Sequence, residues 1–230
     1  MKHLVIGLGE VGSSLLHVLS RKLDATGIDN GNVLHERFDA VHICFPYSKK
    51  FLGAVKNYKK QYLRKGGVCV IHSTVPIGTS RACGALHSPI RGIHPHLEKG
   101  ILTFTKYIGG KNAETMAKEF KRAGILCRTT VKPETTEALK LWDTTIYGWN
   151  ILLEKEIWKF CKTHHLDFDL VYTDANQSYN TGYELLEKKQ YKKYILKHVA
   201  GPIGGHCVIP NCQLLNSEIA KFILKKKYRV

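Results

Sequence analysis

His3-Leu4-Val5-Ile6-Gly7-Leu8-Gly9-Glu10-Val11-Gly12 decides the fold of this 230-residue chain. A short apolar run of strand character ends directly in G-x-G-x-x-G, after which Val11, Leu15, Val18 and Leu19 recur at helical spacing. A second strand-like run, Ala25-Thr26-Gly27-Ile28, ends at Asp29. Glycines at that spacing are common by themselves. With a strand before, a helix after and an acid about twenty residues on, they mark a βαβ unit that binds a dinucleotide. Gly7 permits the tight turn, Gly9 lets a pyrophosphate approach the backbone, and Gly12 lets helix and strand pack closely. Glu10 and Val11 open the helix, whose free N–H groups and partial positive charge suit phosphates. Asp29 is placed to accept hydrogen bonds from ribose hydroxyls, and its charge disfavours a 2′-phosphate. That selects NAD over NADP as the cofactor.

Outward from this unit, only Asn30 to Asp39 separate Asp29 from the next apolar run, Ala40-Val41-His42-Ile43-Cys44-Phe45. So short a segment cannot hold a helix and another strand, so the sheet is expected to be trimmed on that side. Phe51, Val55, Tyr58 and Tyr62 mark a helix, with Gly66-Gly67 expected to end it. Val68–Ile71 is the following strand. It delivers His72-Ser73-Thr74-Val75-Pro76-Ile77-Gly78-Thr79 at its C-terminal end, where doubly wound sheets bind ligands. The same residues also read as a strand-to-helix cap with Ser or Thr at the N-cap. A strand near Ile90, a strand at 106–108, a helix at 113–123 and a strand at 125–130 are expected next, and Pro133 marks a boundary. From Glu134 to about His164 runs one long helical pattern with a wide apolar stripe, of the kind that spans two domains or builds a dimer interface. Helices near 167–175, 183–197 and 213–225 follow. The fold class is therefore α/β: a trimmed, doubly wound Rossmann domain over residues 1–132, then a long connecting helix and a small all-α C-terminal domain over 133–230.

No apolar run reaches the roughly 18–20 residues of a membrane span. Met1-Lys2-His3 leads straight into a strand and leaves no room for a signal peptide. Seven cysteines without framework spacing fit a reducing compartment, so a cytoplasmic protein without membrane contact is expected. The net charge of +16 has two explanations. It could attract an anionic small-molecule partner, or it could be a solvated lysine-rich surface, since lysines cluster at 188–193 and 225–227. Helix-turn-helix, zinc-finger and aromatic RNA-binding signatures are missing from the sequence, which argues against nucleic acid.

Near the C-terminus, Gly201-Pro202-Ile203-Gly204-Gly205-His206-Cys207-Val208-Ile209-Pro210-Asn211-Cys212 specifies a sharply turned loop that presents a thiol. Cys207 can be a nucleophile if a neighbour lowers its pKa or takes its proton. It equally reads as a small apolar residue in an ordinary turn. His206, Cys207 and Cys212 do not have a standard zinc spacing and lack a fourth ligand, so no metal is assigned.

Taken in order, GLGEVG, the strand ending in Phe45-Pro46, HSTVPIGT, Ser88-Pro89, the Glu137…Lys140 segment and GPIGGHC resemble the UDP-glucose/GDP-mannose dehydrogenase family over most of the chain. HSTVPIGT and GGHC are the specific elements. The resemblance implies NAD-dependent oxidation of a sugar alcohol to a carboxylate in two hydride transfers. It makes Cys207 the covalent nucleophile, Lys140 the group that stabilises the oxyanion, and Thr74 a neighbour of the nicotinamide and the catalytic water. Phe45, Pro46 and Ser73 join the cofactor site. Three positions depart from the family pattern: Thr144 replaces an asparagine, Asn211 an aspartate, and Ile90 an acid. The family's second Rossmann domain, for the nucleotide of the sugar, has no counterpart in these residues. The function expected is an alcohol dehydrogenation on a small anionic substrate, by a homodimer formed through the long helix. With two carboxylates replaced, stopping at the aldehyde is chemically easier than full oxidation. The alternative is an NAD(H)- or nucleotide-binding regulatory protein without turnover.

Overall fold

Strand β1 (Lys2–Ile6) buries His3 through Ile6 consecutively, which requires cover on both faces of the sheet. That cover is what the next elements supply. In a computed structural model, which describes residues 1–29, 31, 33–92, 95–203 and 207–226, helix α1 (Glu10–Ser20) lays Gly12, Leu15, Val18 and Leu19 on one face. β2 (Asp24–Ile28) returns parallel to β1, and β3 (Phe38–Ile43) enters on the other side of β1. The chain continues through α2 (Phe51–Tyr62), β4 (Leu63–Ile71), the single turn α3 (Thr79–Ala82), β5 (Leu86–His87), α4 (Leu97–Thr103), β6 (Lys106–Gly109), α5 (Ala113–Arg122) and β7 (Cys127–Thr130). The seven strands lie in the order β2-β1-β3-β4-β5-β6-β7, parallel except between β5 and β6. β2 is the outer strand, so the trimmed side is present as expected.

Two apolar layers sandwich this sheet. Val5, Ala40 and Val70 face Leu15, Leu19, Met116 and Phe120 on one side. Leu4, Val41 and Ile71 face Phe51, Val55 and Tyr62 on the other. The chain divides into two compact units after Lys140, inside helix α6 (Pro133–Thr163). The second unit holds the rest of α6, a π-helical turn at Asp169–Asp174 that runs into α7 (Ala175–Leu185), then α8 (Val208–Leu214) and α9 (Glu218–Lys226). Leu141, Leu152, Val208, Cys212 and Ile223 form its core.

Several boundaries differ from the sequence reading, each for a local reason. Gly66 and Gly67 do not end α2. They lie inside β4, where Phe38 pairs with Leu63 but Ala40 with Val68, and the extra residues bulge out around Gly66 at φ +80°. The strand expected near Ile90 is only Leu86–His87, because Pro89 follows and Ile90 turns into the core. α4 was not expected. It is short and carries Gly100, whose missing side chain lets it lie against Gly92. β7 begins at Cys127 rather than 125. The helix expected over 183–197 stops at Leu185. Glu187 adopts φ +56° and Asn180 holds the backbone of Lys193 through two hydrogen bonds of 2.9 and 2.7 Å. The helix expected over 213–225 is two helices, broken at 215–217, where Ser217 Oγ caps α9 by accepting the Ala220 N–H.

The tightest point in the fold is Gly12, where an added Cβ would stand 1.9 Å from the Gly7 carbonyl oxygen. Backbone cannot yield as a side chain can. Gly12→Ala is expected to cost about 3 kcal/mol of unfolding free energy through overpacking, measured by urea denaturation of the two proteins.

Candidate functional site

The carboxyl ends of the first four strands are stitched into one row. Gly7 N–H donates to Ile28 O (3.0 Å), Cys44 N–H to Ile6 O (2.9 Å) and His72 N–H to Ile43 O (2.8 Å). The residues that emerge from this row are the ones the sequence singles out: the Gly7–Gly12 turn, Asp29, Phe45-Pro46 and Ser73-Thr74. Gly7 has φ +91°, and a Cβ there would meet the Phe45 backbone nitrogen at 2.9 Å, so the turn after β1 and the turn after β3 touch through backbone. Gly9 is the N-cap residue of α1, and a Cβ built on it would meet nothing within 4 Å. The surface outside Gly9 is therefore open, with the first N–H groups of α1 beside it. Glu10 and Asp29 are exposed, Val11 and Thr74 half-buried.

Ser73 and Phe45 serve the loops themselves. The Ser73 hydroxyl donates to Phe45 O at 2.6 Å and ties the β4 loop to the β3 loop. The Phe45 ring packs on Phe51 and Tyr58, with ring centroids 5.1 and 5.8 Å away, while Pro46 is exposed.

A residue quoted in the sequence only as part of a motif proves to organise the HSTVPIGT loop. The buried carboxylate of Glu137, on α6, accepts the Gly78 N–H at 2.6 Å and the Ser80 N–H at 2.7 Å. It satisfies donors at the start of α3 that the loop's own hydroxyls do not reach, so the cap comes from Glu137 and not from a local Ser or Thr. One residue earlier, Thr136 Oγ1 lies 2.9 Å from His87 Nδ1, and His87 Nε2–H donates to Ser73 O at 3.2 Å. His87 is driven down to about 3 by burial, with the positive charges of Lys106 and Lys140 acting the same way. It is a neutral strut. Lys140, half-buried, follows Thr136 and Glu137 by one turn of the same helix.

In the second unit, Cys207 is the N-cap residue of α8 and is half-buried. Asn211 lies one turn on, its N–H donating to Cys207 O at 3.1 Å. The Asn211 side-chain amide donates to Thr144 Oγ1 at 2.8 Å. Two of the three positions that depart from the family pattern thus bind each other, and both are uncharged. The third, Ile90, is buried in the sheet core of the first unit. Lys155 fixes the segment ahead of Cys207 by donating to the carbonyls of Val199 and, at 2.8 Å, Gly201. Gly148 lets α8 approach α6, since a Cβ there would stand 2.5 Å from Val208 Cγ1. Gly204, Gly205 and His206, the last weighed as a metal ligand in the sequence, lie outside the described residues. Burial pushes the thiols of Cys44 and Cys69 up to about 12 and raises those of Cys83, Cys127 and Cys212. None of these five is poised to act as a thiolate.

No protein-family model and no curated protein matches the sequence. Solved structures do match. A UDP-D-ManNAc dehydrogenase from Pyrococcus horikoshii superposes with a TM-score of 0.74 at 19% identity, covering 99% of this chain and 69% of that one. A 3-hydroxyisobutyrate dehydrogenase from Mycobacterium tuberculosis gives 0.69 at 12% identity, covering 97% and 91%. Psf3, solved in complex with NADP+ and 2-OPP, gives 0.62 at 14% identity, covering 97% and 92%. The resemblance carried by the motifs therefore extends to the architecture: this chain has the Rossmann-and-helical fold of nucleotide-sugar and hydroxyacid dehydrogenases.

Proposed function

We propose that the chain is an NAD-dependent dehydrogenase that oxidises an alcohol on a small anionic substrate, such as a sugar nucleotide or a sugar phosphate. The observation that carries this reading is the turn after β1. Gly7 and Gly12 have no room for a side chain, whereas Gly9 faces open space at the start of α1, and Asp29 is exposed at the end of the neighbouring strand β2. A surface shaped that way fits a pyrophosphate laid on backbone N–H groups and a ribose held by a carboxylate. The cofactor, bound there, supplies a hydride acceptor. The chain's own groups would do the rest. Lys140 is the ammonium for a developing alkoxide, and Cys207 is the thiol for adding to an aldehyde carbon. The likeness to structures named as dehydrogenases supports the reading, as does the order of the motifs.

Asn211 supplies an amide, bonded to the Thr144 hydroxyl, where a carboxylate would activate water, so the aldehyde is the main product of the proposed reaction and carboxylate formed through Cys207 a minor one. A binding or regulatory protein without turnover is the second reading, favoured by the same neutral pair. NADH fluorescence titration tests the common part. Gly9→Ala is expected to weaken NADH binding at least tenfold while its unfolding free energy stays within about 1 kcal/mol of wild type. Unchanged affinity would remove the cofactor site from this turn. Assays on a panel of sugar nucleotides and sugar phosphates then divide the two readings: aldehyde formation supports the enzyme, and tight NADH binding with no product supports the regulator. Cys207→Ser is expected to leave the first hydride transfer and to abolish any carboxylate produced.

The proposed partner of the long helix is a second copy of the chain. Trp142, Ile146, Trp149, Leu153 and Phe160 are exposed large apolar residues of α6, spaced by four, three, four and seven. This is the alternation that packs one helix against another as knobs into holes. Sedimentation velocity is expected to show a dimer that Leu153→Glu converts to monomer; a wild-type monomer at tens of micromolar would remove the proposal.

A further inference from the structure

A chain of buried ionisable side chains crosses the sheet of the first unit and reaches its carboxyl edge at His72. His3 on β1, His42 on β3 and His72, directly after β4, are all buried on the side of the sheet that holds Val5, Ala40 and Val70. Strand register places His42 opposite Val5 and Val70, so the three rings step diagonally from strand to strand. His3 Nδ1 is 3.0 Å from His42 Nε2, and His42 Nδ1 is 2.9 Å from His72 Nε2. The outer nitrogens continue the line. His3 Nε2 lies 3.2 Å from Glu119 Oε2 on α5, and His72 Nδ1 lies 3.3 Å from Lys106 Nζ on β6. Phe120 covers His42, His72 and Lys106 from above.

A neutral imidazole has one N–H and one lone pair, so the line can be ordered in two ways only. In one order Lys106 is an ammonium that donates to His72 Nδ1, and each ring donates from Nε2 to the next, ending with His3 Nε2–H on Glu119. In the other order every ring carries its proton on Nδ1. His72 then donates to Ser88 O at 2.7 Å, Lys106 is a neutral amine directed at the carbonyls of Ser88 (3.0 Å) and Pro89 (3.4 Å), and Glu119 holds the extra proton against His3 Nε2. The two orders differ by one proton moved from Nζ to Oε2. At each ring one N–H bond forms while the other breaks, and no ring keeps a charge.

We propose that Lys106, His72, His42, His3 and Glu119 form a proton path across the sheet, linking the buried amine beneath the Ser88–Pro89 turn to the Glu119 carboxylate, which keeps 11% of its side chain open to solvent. The surroundings suit such a path. Burial holds His42 and His72 well below the usual histidine range and lowers His3, so the rings relay a proton without storing one. Burial also brings Lys106 down to about 7, helped by the charge of Lys140 and opposed by Cys44 and Cys127. Glu119 is raised by burial, but hydrogen bonds from Arg122 and His3 outweigh this and hold it below its ordinary value. Arg122 at 2.9 Å and the amino terminus at 3.5 Å are its charged neighbours, Asp39 acts on His3, and His87 acts on His72. The path stands independently of any turnover of an alcohol.

A cavity of about 10 Å³, lined by Pro89, Ile90, Arg91 and Lys106 among others, is a rival route for protons to reach the amine. Exchange into deuterium oxide, followed by 15N NMR on the labelled chain, separates the routes. The Lys106 Nζ and ring N–H protons are expected to exchange at least tenfold faster than the backbone amides of Val5, Val41 and Val70. Rates equal to those amides would show that protons leave only when the sheet opens, and would overturn the path. Glu119→Gln keeps an oxygen for His3 but cannot accept the proton. It is expected to slow Lys106 exchange at least tenfold with the amides unchanged. Should that protein fail to fold, His42→Leu interrupts the line at its middle and is expected to do the same. Lys106 exchange that stays fast in either folded variant would assign the traffic to the cavity and overturn the path.

Discussion

The contact between the backbone of Gly12 and the Gly7 carbonyl is the constraint from which the first unit follows. A helix that meets its strand without a side chain between them has no freedom to slide or roll there. Its N-terminus is consequently fixed over the ends of β1, β2 and β3, and the polar groups emerging from those ends are fixed with it. Ser73 and Glu137 extend the same order. One hydroxyl and one carboxylate tie the loops after β3 and β4 to each other and to α6. Rigidity at this edge comes from backbone contact and buried hydrogen bonds, which makes it suited to holding a large ligand in one pose.

The parts legible in the sequence were those whose physics is local. A glycine pattern between an apolar run and an amphipathic run is a property of twelve consecutive residues, and it placed β1, the turn and α1 correctly. The short Asn30–Asp39 segment was enough to foresee β2 as the outer strand, because chain length alone forbade another helix and strand. α6 followed from thirty residues of one period. Gly66-Gly67 misled because a glycine pair has the same appearance in a helix terminus and in a bulge, and only the register with Phe38 and Ala40 separates them.

What the sequence concealed depends on partners far along the chain. Glu137 lies 59 and 57 residues from the amides it binds. Asn211 and Thr144 are 67 apart and were read as two separate losses from a family pattern; their hydrogen bond makes them one replaced pair. The histidines of β1 and β3, and the one directly after β4, were visible as histidines in or beside apolar strands. That was a usable signal, since a histidine at an inward strand position needs a partner. Nothing in the sequence could say that they partnered one another.

Trimming has a consequence at the rim of the sheet. β2 is hydrogen-bonded to β1 on one side, and it alone carries Asp29 to its place. A slip of one residue would displace that carboxylate by about 3.3 Å and turn it to the opposite face. What pins the alignment is Gly27, over which the methyl groups of Leu16 and Leu8 would stand 2.5 and 2.7 Å from any Cβ. The placement of the acid is thus set two residues upstream of it, in a leucine–glycine fit. Under the role proposed for Asp29, tuning of coenzyme preference by mutation would run through that hydrophobic seam as much as through the acid itself.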